Sequence, residues 1–218
     1  MACIHFPQID LTHVKGVLID LDNTLYCFSS ANAYALRKVH AFLCKKRPMS
    51  YAAFEKEYEA GWKRLFGSLG SVPSAHSRFI LFQSVLEKNA ILKPYLLACK
   101  LEEIYFKNLY KKAKADPQAL LFLKECRRQK IPVCLVTDLF GTVQTNKLLR
   151  MKLDKYVDFI VTNDELGVDK PHPSLFQRGL EKLGISAKEA IMVGDNPEND
   201  IKGAQALGIR SYLVETDK

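Results

Sequence analysis

Four short aliphatic runs lie at residues 17–19 (VLI), Val133–Thr137 (VCLVT), Phe159–Thr162 (FIVT) and 190–193 (AIMV). Each is bounded by turn or cap residues and followed by a stretch of helical periodicity. A fifth run, at 209–214 (IRSYLV), closes the series. Short strands alternating with helices predict an α/β chain with a mostly parallel sheet covered by helices. Right-handed crossovers then align the carboxyl ends of the strands along one edge, where open α/β sheets bind ligands.

Residues 27–114 break this rhythm. They hold no convincing strand and read as four helices, at 31–46, 51–66, 75–89 and 94–112, with breaks at Pro48, at 67–73 and around 93–94. Apolar residues recur at helical spacing, as at Phe79, Phe82, Val85 and Leu86. The predicted organisation is a core built from 1–26 and 115–218, with a helical bundle at 27–114 inserted after the first strand. A chain of 218 residues accommodates both.

Several function classes recede on composition. The formal charge is +8, but the basic residues are spread along apparent helices (KKRP, YKKAK, KECRRQK) without interleaved aromatics. They read as solvated helix faces, not as a nucleic-acid surface. No apolar run approaches the roughly 18–20 residues of a membrane span. The opening residues, MACIHFPQIDLTHVKG, carry no basic-then-apolar signal pattern and read as a short extension to the first strand. Six scattered cysteines (Cys3, Cys27, Cys44, Cys99, Cys126 and Cys134) include no CxxC pair. Reduced thiols in a cytoplasmic protein are expected.

Chemistry collects at the predicted strand ends. The first run leads directly into Asp20 and Asp22, and carboxylates are almost never fully buried unless something positive pairs with them. Either these acids are solvated, or both carboxyl groups, or one carboxylate and one backbone carbonyl, converge on a hard cation. Thr137 ends the second run, Lys170 precedes two prolines in DKPHP, and GDNPEND supplies Asp195 and Asp200. Each has an ordinary explanation alone: a surface acid pair, a strand threonine, one lysine among many, a helix cap. Their conjunction is harder to explain so, because such charges compensate one another around a divalent ion and a phosphate.

These segments resemble the four motifs of the haloacid dehalogenase-like superfamily: DLDNT the nucleophile motif, Thr137 the second, Lys170 the third, GDNPEND the fourth. The resemblance implies a Rossmann-like core with an inserted helical cap and a phosphatase acting on small phosphorylated metabolites; from the charge and hydropathy patterns, no nucleic-acid or membrane partner is expected. It implies Asp20 as a nucleophile forming an aspartyl-phosphate, and Mg²⁺ held by Asp20, the backbone carbonyl of Asp22, and Asp195. Lys170 would restrain Asp20 and balance phosphate charge. Thr137 and nearby amides, that of Asp138 included, would bind phosphate oxygens, with Asp200 supporting the metal ligands from behind. An acid at Asp22 favours phosphoryl transfer with proton transfer to the leaving group. The alternatives are a phosphomutase, a binding module without turnover and, last, a dehalogenase.

Asp138 stands where many relatives carry Asn or Ser, and its side chain is read as a helix N-cap for the segment from Gly141. Tyr26, Cys27, His76 and Arg78 are candidate specificity residues, the last two equally readable as helix-surface residues. Cys27 is read as a partly buried, inert thiol, with redox sensitivity the alternative. Trp62 and Phe66 are expected in the bundle core.

Overall fold

The computed structural model describes residues 4–45 and 47–217; Cys3 and Lys46, which enter the cysteine and helix expectations above, lie outside them. The described chain forms two compact units, one from residues 1–28 with 113–218 and one from 29–112.

In the first unit, strands β2 (Gly16–Ile19), β3 (Val133–Thr137), β4 (Phe159–Thr162), β5 (Ala190–Gly194) and β6 (Arg210–Leu213) form one parallel sheet in the order β4-β3-β2-β5-β6. Strands β2, β3 and β5 are buried at every position, as parallel strands covered on both faces must be. The order runs outward from β2 in one direction to β4 and in the other to β6. The reversal beside β2 is a topological switch point, where a crevice opens at the carboxyl ends. A second pair, β1 (Ile4–His5) with β7 (Glu215–Thr216), is antiparallel. Two-residue strands carry too little periodicity to be read from sequence.

Helix α5 (Pro117–Arg128) begins where the Asp116 carboxylate accepts from the Gln118 and Ala119 amides, with Pro117 preset for the first turn. Helix α6 (Gly141–Met151) follows β3, a short α7 (Asn163–Leu166) follows β4, and α8 (Pro173–Leu183) packs on the sheet. The core there joins Leu18, Val136, Val161, Leu175, Phe176 and Met192. Gly179 is what brings α8 so close: a Cβ at that position would meet Leu18 Cδ2 at 2.7 Å and Val136 Cγ2 at 3.3 Å. Gly179→Ala is expected to destabilise the protein by about 1–3 kcal/mol through overpacking. That outweighs the gain of about 1 kcal/mol in helix propensity. Urea unfolding checks the sign; a stabilised variant would show that α8 shifts freely.

The second unit takes its helices from α1 (Phe28–Leu43), which starts one residue before it, and from α2 (Tyr51–Leu69), α3 (Arg78–Lys88) and α4 (Pro94–Lys112). Ser50 and Ser77 cap α2 and α3 by accepting from the Ala53 and Ile80 amides. The expected start of the third helix at 75 is corrected to Arg78, because Pro73–His76 forms a separate 3₁₀ turn. Leu36, Val39, Phe54, Leu81, Phe82 and Leu101 are buried in this bundle. Trp62 is only half-buried and Phe66 is exposed, so neither is the core residue expected from spacing.

Candidate active site

Asp20 continues the ladder one residue past β2, its amide donating to the Val193 carbonyl at 2.9 Å. The chain then reverses through Asn23, whose φ of 62° lies in the left-handed region that asparagine tolerates. That turn brings Thr24 and Tyr26 back toward the two acids. The Thr24 hydroxyl donates to Asp20 Oδ2 at 3.3 Å, and the Tyr26 phenol donates to Asp22 Oδ1.

Lys170 reaches the same place from the loop before α8. Its Nζ donates to Asp20 Oδ1 at 2.7 Å, to Asp200 Oδ1 at 2.7 Å and to the Val136 carbonyl at 3.0 Å. Its own amide donates to Asp138 Oδ1 at 2.7 Å. Asp195 follows β5 directly, and a π-helical turn over Pro197–Lys202 returns Asp200 beneath it. Gly194 is needed for this return, since a Cβ there would collide with the Asp200 carboxylate. Asp200 Oδ2 also accepts the Asn196 amide at 3.0 Å.

Oxygens of Asp20, Asp195 and Asp200 lie within 4.8 Å of one another. Burial, reinforced by the charges of Asp200 and Asp195 and opposed by Lys170, holds the Asp20 carboxyl well above its usual range. Burial and the neighbouring Asp200 push Asp195 up to about 6. Burial also raises Asp138. For Lys170, burial acts downward, but the carboxylates of Asp20, Asp200 and Asp138 prevail and keep its ammonium charged. Several carboxylates thus face one lysine, and the excess negative charge and hard oxygen donors suit a divalent cation.

Asp22 has different partners. Lys147, fully buried, donates to both its oxygens at 2.7 and 2.6 Å, and the Gln144 amide approaches Oδ2 at 3.4 Å. Burial would raise Asp22, but Lys147, Tyr26 and Gln144 together lower it. Of the two convergent arrangements expected, the pair of carboxyl groups is not formed: the Asp22 side chain turns to Lys147, while Asp20 joins Asp195 and Asp200. Neither Gln144 nor Lys147 was expected from sequence. Their signal is periodicity, since positions 144, 147, 148 and 151 form the buried stripe of α6 and two of the four are polar.

Thr137 is buried, and its Oγ1 accepts from Gln144 Nε2. The N-cap reading of Asp138 is corrected. Phe140 occupies the cap position of α6, and the Gly141 amide donates instead to Asp164 Oδ1 at 3.1 Å. The Asp138 carboxylate is already engaged by the Lys170 amide. Cys27 is disulfide-bonded, not a free thiol, because sequence spacing does not reveal a pairing that the fold creates. Cys44, Cys99, Cys126 and Cys134 are free.

His76 and Arg78 belong to the second unit. His76 ends the 3₁₀ turn, edge-on to Phe66 at 5.4 Å. Arg78 is buried, not on the helix surface, donating to the Tyr105 hydroxyl at 3.3 Å with its guanidinium 4.6 Å from the Trp62 ring.

Residues 14–208 match the haloacid dehalogenase-like hydrolases. The chain belongs to this family. It is 33% identical over 204 residues to a ribulose-1,5-bisphosphate 5-phosphatase from Halopiger xanaduensis, covering 92% of this chain and 84% of that protein. A glyceraldehyde 3-phosphate phosphatase from Methanocaldococcus jannaschii is 28% identical, covering 92% and 85%. The fold is shared with a 2-haloacid dehalogenase from Pseudomonas syringae at a TM-score of 0.75, with 22% identity and coverage of 92% and 86%. Among the described residues, no helix is long and apolar enough to cross a membrane.

Proposed function

We propose that this hydrolase is a Mg²⁺-dependent phosphatase of small organic phosphate monoesters, with Asp20 as nucleophile. One observation carries the reading: a buried carboxylate at the end of the central strand, bonded on both oxygens by Thr24 and Lys170. An Asp20 oxygen attacks phosphorus, the bond from phosphorus to the leaving oxygen breaks, and water later cleaves the aspartyl-phosphate. Lys170 fixes the carboxylate and offsets phosphate charge, while the Thr137 hydroxyl and the Asp138 amide bind phosphate oxygens. Asp22 in its protonated form gives a proton to the leaving oxygen, and the carboxylate left behind takes one from the attacking water. Asp20, the backbone carbonyl of Asp22, and Asp195 would hold Mg²⁺, whose charge stabilises the phosphoryl oxygens when bound. Asp200, already bonded to Lys170 and the Asn196 amide, supports this set. The names of the relatives point to sugar-type phosphates as the first substrates to try.

Phosphate release from a panel of pentose, triose and glycolate phosphates tests the reading. Release is expected with Mg²⁺, to fall by about a hundredfold or more with a chelator, and to return on adding the metal back. Metal-independent release would remove Mg²⁺ from the proposal. Silence across the panel, with phosphate exchange between isomers on adding a bisphosphate, would make the protein a mutase.

A further inference from the structure

Helix α6 places two polar side chains, Gln144 and Lys147, where its spacing demands apolar ones, and both are fully buried. Burying a lysine without a counter-charge is expensive, and Lys147 is given one: Asp22, contacted through both oxygens. The Lys147 ammonium also lies 5.8 Å from the Tyr26 ring centroid and 5.5 Å from that of Phe28. Aromatic faces favour a cation so placed. Gln144, one turn earlier, donates from Nε2 to both Asp22 Oδ2 and Thr137 Oγ1. Because that bond uses an acceptor site of the threonine oxygen, the hydroxyl hydrogen remains for another acceptor.

We infer that Lys147 and Gln144 are positioning residues, Lys147 fixing the Asp22 carboxylate and Gln144 tying it to the Thr137 hydroxyl. The proton-transfer group and a phosphate-binding hydroxyl are thereby set as one unit from a single helix face. The inference rests on the phosphatase reading, in which Asp22 serves the leaving oxygen. It goes beyond that reading in naming what holds Asp22 in place and in predicting which substrates feel its loss. With Lys147 clamping two oxygens and Tyr26 and Gln144 adding one bond each, the carboxylate has few free directions. Its aim is set by α6 and the turn after β2, not by solvent.

Leaving-group dependence tests this. An alkyl phosphate such as glycerol phosphate needs a proton at its leaving oxygen, whereas p-nitrophenyl phosphate expels a stabilised phenolate that needs little help. Lys147→Met is expected to reduce kcat/KM, which reports on the step that expels the leaving group, by roughly 10–100-fold on the alkyl ester and by no more than about threefold on the aryl ester. A purely structural role would lower both rates alike. Removing Lys147 leaves Asp22 without its charge partner, so the Asp22→Asn variant and the Asp22→Asn/Lys147→Met double variant, which is again charge-balanced, complete a cycle. If Lys147 acts through Asp22, adding Lys147→Met to Asp22→Asn costs no more than about threefold further on the alkyl ester. Equal losses on the two esters, or multiplicative losses in the cycle, would overturn the inference while leaving the phosphatase reading intact. No release from either ester by the wild-type protein would overturn both.

Discussion

Asp20→Asn removes phosphate release, with kcat falling by at least about a thousandfold, because a neutral amide oxygen cannot take the place of the carboxylate nucleophile. The same substitution is expected to raise, or at least not lower, the melting temperature of the metal-free protein. Burial and the charges of Asp200 and Asp195 hold the Asp20 carboxyl above its ordinary value, against the pull of Lys170, so folding disfavours its ionised form. Asparagine has a similar shape without that charge. Linkage fixes the pH dependence. A carboxyl raised in the folded state binds its proton more tightly there than in the unfolded chain. Its contribution to stability is therefore lost as pH rises from the unfolded value of 3.8 through the folded one, which for Asp195 is about 6. Metal-free wild type should gain stability as pH falls through this window, and Asp20→Asn should gain less. Calorimetric scans with a phosphate assay on the same samples check both. Near-wild-type turnover would take Asp20 out of the nucleophile role. A lower melting temperature would show that its bond with Lys170 outweighs the burial penalty.

Legibility in the sequence tracks how local each determinant is. The sheet strands were readable because each carries its own aliphatic run. Asp20, Lys170 and Asp195 could be singled out because each sits beside a strand or turn signal of its own. What could not be read depends on a partner far along the chain. Lys147 meets Asp22 across 125 positions, so the buried ion pair exists only once β2 and α6 are neighbours. The Asp138 cap failed for the same reason: Asp164, 23 residues beyond Gly141, takes the helix amide, and Asp138 turns to Lys170. The antiparallel pair at the chain ends and the burial of Arg78 among aromatic rings are likewise tertiary. Gly194 lies between these cases. A glycine after a strand is visible in GDNPEND, but its reason, the Asp200 carboxylate against its Cα, is not.

Lys170→Met should damage both activity and stability, and the two effects should respond differently to pH. Methionine nearly matches the lysine stem in length but withdraws three hydrogen bonds, to Asp20, Asp200 and the Val136 carbonyl. Both carboxylates are buried, so losing their common cation leaves uncompensated charge in the interior. Breaking such a pair from one side typically destabilises by about 3–5 kcal/mol. The loss should be largest at pH 7 and above. It should shrink toward pH 5, since Asp20, already raised by burial, takes up a proton more readily once the lysine is gone, and protonation removes its unpaired charge. Activity should follow the opposite course. A protonated Asp20 is no nucleophile, and the phosphate has lost a cation besides, so kcat falls by about a hundredfold or more at neutral pH and does not recover in acid. Urea unfolding and phosphate release, each followed from pH 5 to 8, separate the two. A stability deficit independent of pH would mean that packing, not charge, is what Lys170 supplies. Activity that returned as stability did would make the lysine a structural strut rather than part of the reacting site.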